Sequence, residues 1–227
     1  MTFNNQNKKN FIINKKESLS KRVALFLLIV GVWLLSEYFL RPFLGSIIQE
    51  IRNFFGGGTF VQHIFSKSLP VDLICLVMLI GLYKLYIIPR PTLYNNLVKS
   101  LKEGLIWGLL ICVPTIPLAL SLDFKLDFDI NWPSILGNVI SNSYEEITYR
   151  VFLFSIAAYT FRNIWISVLF VALLFALGHT QYPISMQIIV GIASVCFSMA
   201  YIRANSVFAA ILAHQVSDMI LDSILFK

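Results

Sequence analysis

The residues best equipped for chemistry sit where they are least expected, inside long apolar runs. One such run reads SNSYEEITYRVFLF and holds two adjacent carboxylates, Glu145 and Glu146, with Arg150 four residues after the second. On a helix Glu146 and Arg150 share a face, whereas Glu145 points about 100° away. One carboxylate can then be tied to the guanidinium while the other faces a cavity. A second run ends FALGHTQY and places His179 just past its last apolar residues. A third contains AHQVSDMILD, in which His214, Asp218 and Asp222 recur at four-residue spacing and stack on one helix face. Ionisable groups in hydrocarbon are costly and normally face the interior of a helix bundle.

Two chemical routes are open to this set. In one, a Glu takes a proton from water while a second polar group stabilises the oxyanion of peptide hydrolysis. In the other, Glu, His, His and Asp hold a divalent metal such as zinc that acidifies water. The spacing alone does not choose between them. Structural readings stand beside both: a Glu–Arg lock between helices, an interfacial His179, and a His214–Asp218 hydrogen bond without catalytic consequence. HExxH, GxSxG, GxGxxG and P-loop patterns are absent. Zinc-protease, serine-hydrolase, dinucleotide and NTPase chemistries of the soluble type therefore lack a motif.

The elements that must position these groups follow from the hydropathy. Apolar runs cover Val23–Leu40, Pro70–Ile88, Glu103–Leu120, Pro133–Tyr159, Asn163–Gly178, Ser185–Ile202 and Ser206–Phe226. Crossing the hydrocarbon layer takes about 20 residues as a helix and about half that as a barrel strand. The expected fold is therefore all-α, a polytopic membrane helical bundle of about seven transmembrane helices. Pro70 and Asp72 suit the first turn of the second span, and Pro89 and Pro91 follow its end. Pro114 and Pro117 are expected to interrupt and kink the third. Asn131, Trp132, Pro133 and Ser134 predict a turn and a helix start near Pro133. The stretch 41–69, with Gly56–Gly58, is long enough to hide a surface or re-entrant helix. The chain divides into a basic cytoplasmic tail (1–22), N-terminal transmembrane helices and loops (23–132), and a helical core (133–225).

Composition agrees. The 227 residues are 57% apolar and only 13% charged, with a mean hydropathy of +0.75. That is about half the charge density of an ordinary soluble domain. A soluble enzyme, a disordered chain and a disulfide-stapled secreted module are excluded. Cys75, Cys112 and Cys196 lie in apolar runs without CxxC spacing and read as buried apolar residues. The net charge is +6, but Lys8, Lys9, Lys15, Lys16, Lys21 and Arg22 crowd the first 22 positions. This pattern suits an anionic membrane surface and not a nucleic acid. Basic residues in short loops place the N-terminus in the cytoplasm, with the acidic stretch Asp123–Asp129 and His179 on the opposite side.

The three polar patterns together resemble the CPBP family, intramembrane proteases related to CAAX prenyl endopeptidases and bacteriocin-processing (Abi) proteins. The family carries EExxxR, FxxxH and HxxxN/D on successive core helices. Here these are Glu145-Glu146-x-x-x-Arg150, Phe175-x-x-x-His179 and His214-x-x-x-Asp218, in order, over roughly Pro133–Leu225. The resemblance implies a membrane endopeptidase of a bacterial cell membrane acting on a peptide or protein substrate at the bilayer. Glu145 and His179 would activate water, His214 and Asp218 would stabilise the oxyanion, and Glu146 and Arg150 would support the site. The family position of Asp218 is often Asn in the prenyl-protease branch, and an ionised Asp has acceptors only. Asp218 would instead orient His214, carry a proton or contact a metal. A non-catalytic immunity or protein-binding factor, and a proton-coupled transporter using Glu145 and Asp218, are the other function classes.

Overall fold

The computed structural model describes residues 17–65, 69–85, 95–121, 130, 132–180 and 182–224. Pro89, Pro91, Asp123–Asp129 and Lys8, Lys9, Lys15 and Lys16 lie outside the described residues, as does the side chain of Asp222. The described residues form helices only: α1 (Leu19–Phe54), α2 (Thr59–Ile64), α3 (Leu69–Lys84), α4 (Leu97–Ser121), α5 (132–161), α6 (Ile164–Gly178), α7 (Ile184–Ala204) and α8 (Val207–Ile224). The protein is an all-α, polytopic membrane bundle. Three helices are long and apolar enough to cross a bilayer: Leu19–Phe54, Leu97–Leu118 and Ile184–Ala204.

The first helix departs from the sequence expectation. It does not stop at Leu40 but runs for 36 residues, about 54 Å at 1.5 Å per residue. Pro42 lacks an N–H and would ordinarily break such a helix. The turn just before it, Ser36–Leu40, is π-helical, and Arg41 N–H reaches back to Ser36 O. The widened turn absorbs the proline, so the helix within stretch 41–69 is Arg41–Phe54, an amphipathic extension of the first span and not a separate element. Arg52 then fastens the return, donating from Nε to Phe65 O (2.6 Å) and from Nη2 to Gln62 O (3.0 Å). The prolines of α4 are accommodated inside it. Pro114 and Pro117 lie inside one helix, Leu97–Ser121.

Arg22 is a second correction. It is buried, not part of a solvent-facing basic anchor. Its Nη1 donates to Thr160 O (2.7 Å) and Tyr159 O (3.3 Å). These carbonyls belong to the last turn of α5, which would otherwise lack partners there. Glu17 accepts a hydrogen bond from the neighbouring Tyr159 hydroxyl. The turn from α5 to α6 is tight. Arg162 takes the left-handed conformation (φ 51°), and Asn163 caps α6 by accepting from Trp165 N and Ile166 N.

α4 and α8 approach closely. Gly104 and Gly108 form a GxxxG step that faces Ala209 and Ala213 of α8. A Cβ on Gly108 would meet Ala213 O at 2.7 Å and Val216 Cβ at 2.9 Å. Small residues at this spacing let helix backbones meet where lipid offers no hydrophobic drive. The step matters for chemistry because Ala213 precedes His214. Gly108→Val is expected to push α8 away and destabilise the fold by about 1–3 kcal/mol, the usual cost of overpacking. Gly81→Val is the control, since a Cβ at Gly81 meets nothing within 4 Å. Thermal unfolding in detergent should separate the two variants; equal midpoints would remove the role assigned to this contact.

Candidate functional site

The site is built around the middle of α5. The helix starts as an α-helix (Trp132–Glu146), becomes π-helical over Ile147–Leu153, and finishes α-helical (Phe154–Phe161). Six consecutive residues of the π segment, Thr148–Leu153, are buried. An amphipathic surface helix cannot bury six in a row, so this segment is the axis of the bundle. It packs against α3, α6 and α8. Thr148 Oγ1 donates to Asp72 Oδ1 of α3 at 2.8 Å. Such widened turns recur at functional sites because they re-aim side chains without ending the helix.

The two adjacent glutamates divide as the helix geometry requires. Glu146 is wholly buried, and its carboxylate bridges two partners: Arg150 Nε lies 3.0 Å from Oε2, and His214 Nδ1–H donates to Oε1 at 2.9 Å. The first contact is an ion pair whose angles fall short of a hydrogen bond. Arg150 is wholly buried too. Its guanidinium carbon lies 5.0 Å from the ring centre of Phe175, 5.6 Å from Phe197 and 6.0 Å from Tyr149. Its two terminal nitrogens have no hydrogen-bond partner among the described residues. Cation–π attraction to these rings and the Glu146 charge are what compensate it.

Glu145 points the other way, into a cavity of about 430 Å³ that His179, His214, Asp218 and Asn142 also line. The helices thus bring Glu145, His179, His214 and Asp218 onto one cavity and leave Glu146 and Arg150 outside its lining. His179 Nδ1 lies 2.7 Å from Phe175 O. A carbonyl only accepts, so Nδ1 carries the proton and Nε2 of the neutral ring is left as an acceptor. Both imidazoles pack on Phe175, at ring-centre distances of 4.6 Å for His179 and 5.9 Å for His214. His214 also stacks on Phe197 at 4.4 Å. Its Nε2 lies 3.6 Å from Asp218 Oδ2, too far for a direct hydrogen bond. Asp218 Oδ2 instead accepts from Asn142 Nδ2 at 2.9 Å.

Sequence reasoning missed Asn142 and Gln215. Asn142 Nδ2 lies 3.3 Å from Gln215 Oε1, and Gln215 Nε2 donates to Ile135 O at 2.9 Å. Together they pin α8 to α5 one turn from the carboxylates. The signal was present: Asn138 and Asn142 precede Glu145 and Glu146 at helical spacing in an apolar run. Asp222 completes the sequence stripe, but its side chain is not described.

Among the described residues no three His, Cys, Asp or Glu side chains are grouped so that they could hold an ion. Nδ1 of each imidazole is engaged, by Phe175 O and by Glu146, which leaves Nε2 as the free ring nitrogen of each. What the arrangement does offer is an acceptor carboxylate and an acceptor imidazole nitrogen on one cavity wall, with a second imidazole held by a carboxylate behind it.

Comparison with known proteins bears on this constellation. No curated protein and no solved structure gives a significant match. Residues 128–220 match the family model described as Type II CAAX prenyl endopeptidase Rce1-like. This stretch contains Glu145, Glu146, Arg150, His179, His214 and Asp218. Part of the chain, spanning α5 to α8, is therefore a CAAX-protease, Rce1-like domain of the CPBP/Abi superfamily.

Proposed function

We propose that the protein is an intramembrane endopeptidase that hydrolyses peptide bonds in a membrane-associated or exported peptide, with water activated by Glu145 and His179. The observation that carries this reading is the shared cavity, in which Glu145 and His179 stand beside the Glu146-anchored His214. A water between the Glu145 carboxylate and His179 Nε2 attacks the scissile carbonyl carbon, and its proton passes to Glu145. The oxyanion that forms faces the His214 side, where Nε2–H of the imidazolium stabilises it. Collapse breaks the C–N bond, and Glu145 returns the proton to the departing amine nitrogen. Glu146 orients His214 through Nδ1, and Asp218, held by Asn142, supplies negative charge 3.6 Å from Nε2. No step passes through a metal. The core 133–225 carries this chemistry, and the helices of 23–132 frame it.

The reading is tested with the chain purified into lipid and offered prenylated and unprenylated peptides. Mass spectrometry reads the cleavage site, with and without exhaustive chelation. Chelator-resistant cleavage is expected. Loss of activity restored by one divalent ion would replace the glutamate mechanism, and intact peptides after prolonged incubation would overturn hydrolysis itself.

The proposed arrangement in the bilayer has seven spans, a cytoplasmic N-terminus and a site opening toward the outer face. Its support is the basic content of one end. Arg22 caps the α5 terminus beside Arg162, and at the paired ends of α4 and α7 Arg203 Nε bonds Glu103 Oε2 at 2.9 Å. Reporter fusions at Lys99, Asp123, Arg162 and Arg203 should read inside, outside, inside, inside. A cytoplasmic signal at Asp123 would turn the site inward.

A further inference from the structure

Glu145 and His179 line a second, smaller space as well as the large cavity. It is a chamber of about 90 Å³ on the side of α1 and α3. Most of its lining is polar. Glu37 Oε1 lies 3.0 Å from Arg41 Nη1, and the Thr148 hydroxyl donates to Asp72 Oδ1 at 2.8 Å. A chamber of this size and polarity suits water, with room for about three molecules of about 30 Å³ each.

Next to it, between the C-terminal half of α1 and the end of α6, is a chamber of about 580 Å³ lined by Arg41, Ser46, Gln49 and Thr180 among others. Trp33, Glu37, Arg41 and Gly178 line both spaces. The larger chamber stands at the level of bulk water. Lys21 is exposed near the start of α1. From there to Arg41 the helix rises about 30 Å, which is the thickness of the hydrocarbon layer. Ser46 and Gln49 lie beyond that boundary. The cavity on the other side of Glu145 and His179 has a different character where α7 borders it. Met186, Ile189, Val190 and Phe197 line it there. A peptide seated against these groups displaces water from that side, yet hydrolysis consumes a water for each bond cut.

We propose that the small chamber is a water-binding site that supplies the Glu145–His179 pair from the α1 side, so that water and peptide reach the reacting atoms by separate routes. The role of this water rests on the peptidase reading; the hydration of the chamber does not. The supply route draws on α1 and α3, both outside the matched residues 128–220. Gly178 is its narrow point. A Cβ there would meet the Tyr149 hydroxyl oxygen at 2.7 Å, so even one methyl group intrudes on the chamber.

The test uses the full chain in lipid nanodiscs and brief X-ray radiolysis. Bound water is split into hydroxyl radicals that oxidise the side chains beside it, and mass spectrometry locates the added oxygen. Trp33 and Tyr149 are only 2% and 6% exposed, so strong labelling of both reports water held against them. Both should be labelled in the parent. Saturating prenylated or unprenylated peptide should protect Met186 in the large cavity and leave Trp33 and Tyr149 labelled. Gly178→Ala should lower the labelling of both several-fold. It should also lower kcat about tenfold with KM little changed. Adding Tyr149→Phe, which removes the hydroxyl that the new methyl meets, should restore Trp33 labelling and turnover. The parent alone decides the matter if Gly178→Ala fails to fold. Unlabelled Trp33 and Tyr149 in the parent, their protection by peptide together with Met186, or full labelling in a folded Gly178→Ala would overturn the water site. The expected labelling without cleavage of any peptide would keep the water site and remove hydrolysis.

Discussion

Glu145→Gln is expected to abolish peptide cleavage while leaving the protein folded. Gln keeps the size of the side chain but cannot take the proton that water must lose. A positioned general base contributes about 10²–10⁴ in rate, and kcat should fall by that factor with little change in peptide binding. The fold should survive because Glu145 is the half-buried member of the pair and faces the cavity, while Glu146 makes the buried contacts. The measurement is turnover and peptide affinity side by side on protein of matched size profile. Full cleavage by Glu145→Gln, once contaminating proteases are excluded, would remove Glu145 as the base. Loss of both affinity and monodispersity would recast it as a structural residue.

Arg150→Ala should act the other way, on stability before chemistry. Breaking a buried ion pair by removing one partner typically costs about 3–5 kcal/mol, because the remaining charge is stranded. Here the stranded group is Glu146, and the space left lies among Phe175, Phe197 and Tyr149. Arg150→Lys should not restore stability, since one ammonium cannot both pair Glu146 and lie flat against the rings. The double change Glu146→Gln with Arg150→Met should recover much of the loss, as it removes charge and refills the aromatic space together. Thermal unfolding and size profiles of the four proteins decide this. If Arg150→Ala matched the parent at equal expression, the guanidinium would have no structural role.

Much of this site was legible because hydrocarbon makes polar residues conspicuous. Glu145, Glu146, Arg150, His214 and Asp218 stand out in apolar runs, and helical spacing alone separates the buried Glu146 from the cavity-facing Glu145. What spacing could not show was partnership across helices. His214 reaches past its own Asp218 to Glu146, 68 positions earlier in the chain, because the α4–α8 glycine contact brings α8 close to the axis of the bundle. The long first helix was illegible for a local reason. Pro42 reads as a terminator, and only the preceding π turn cancels it. Glu37 and Arg41 were passed over with that helix end, although an acid and a base four residues apart beside an apolar run carry the same signal as Glu146 and Arg150. Pro114 and Pro117 lie within α4, where neighbouring helices in a bundle can hold a proline-containing segment in place.

The π segment of α5 also fixes how this protein can and cannot vary in length. An α-helix turns about 100° per residue, so removing one residue between Ile147 and Leu153 would leave a continuous helix but rotate one end against the other by that angle. Glu145 and Glu146 would keep their seats while Phe152 and Phe154 swung off the packing surfaces they now fill, or the reverse. The widened turn is therefore a phase adjuster: it lets the acidic half of the helix face a wet cavity and the aromatic half face a dry interior within one unbroken rod. A point substitution there changes one contact, whereas a single-codon deletion shifts the phase of everything beyond it.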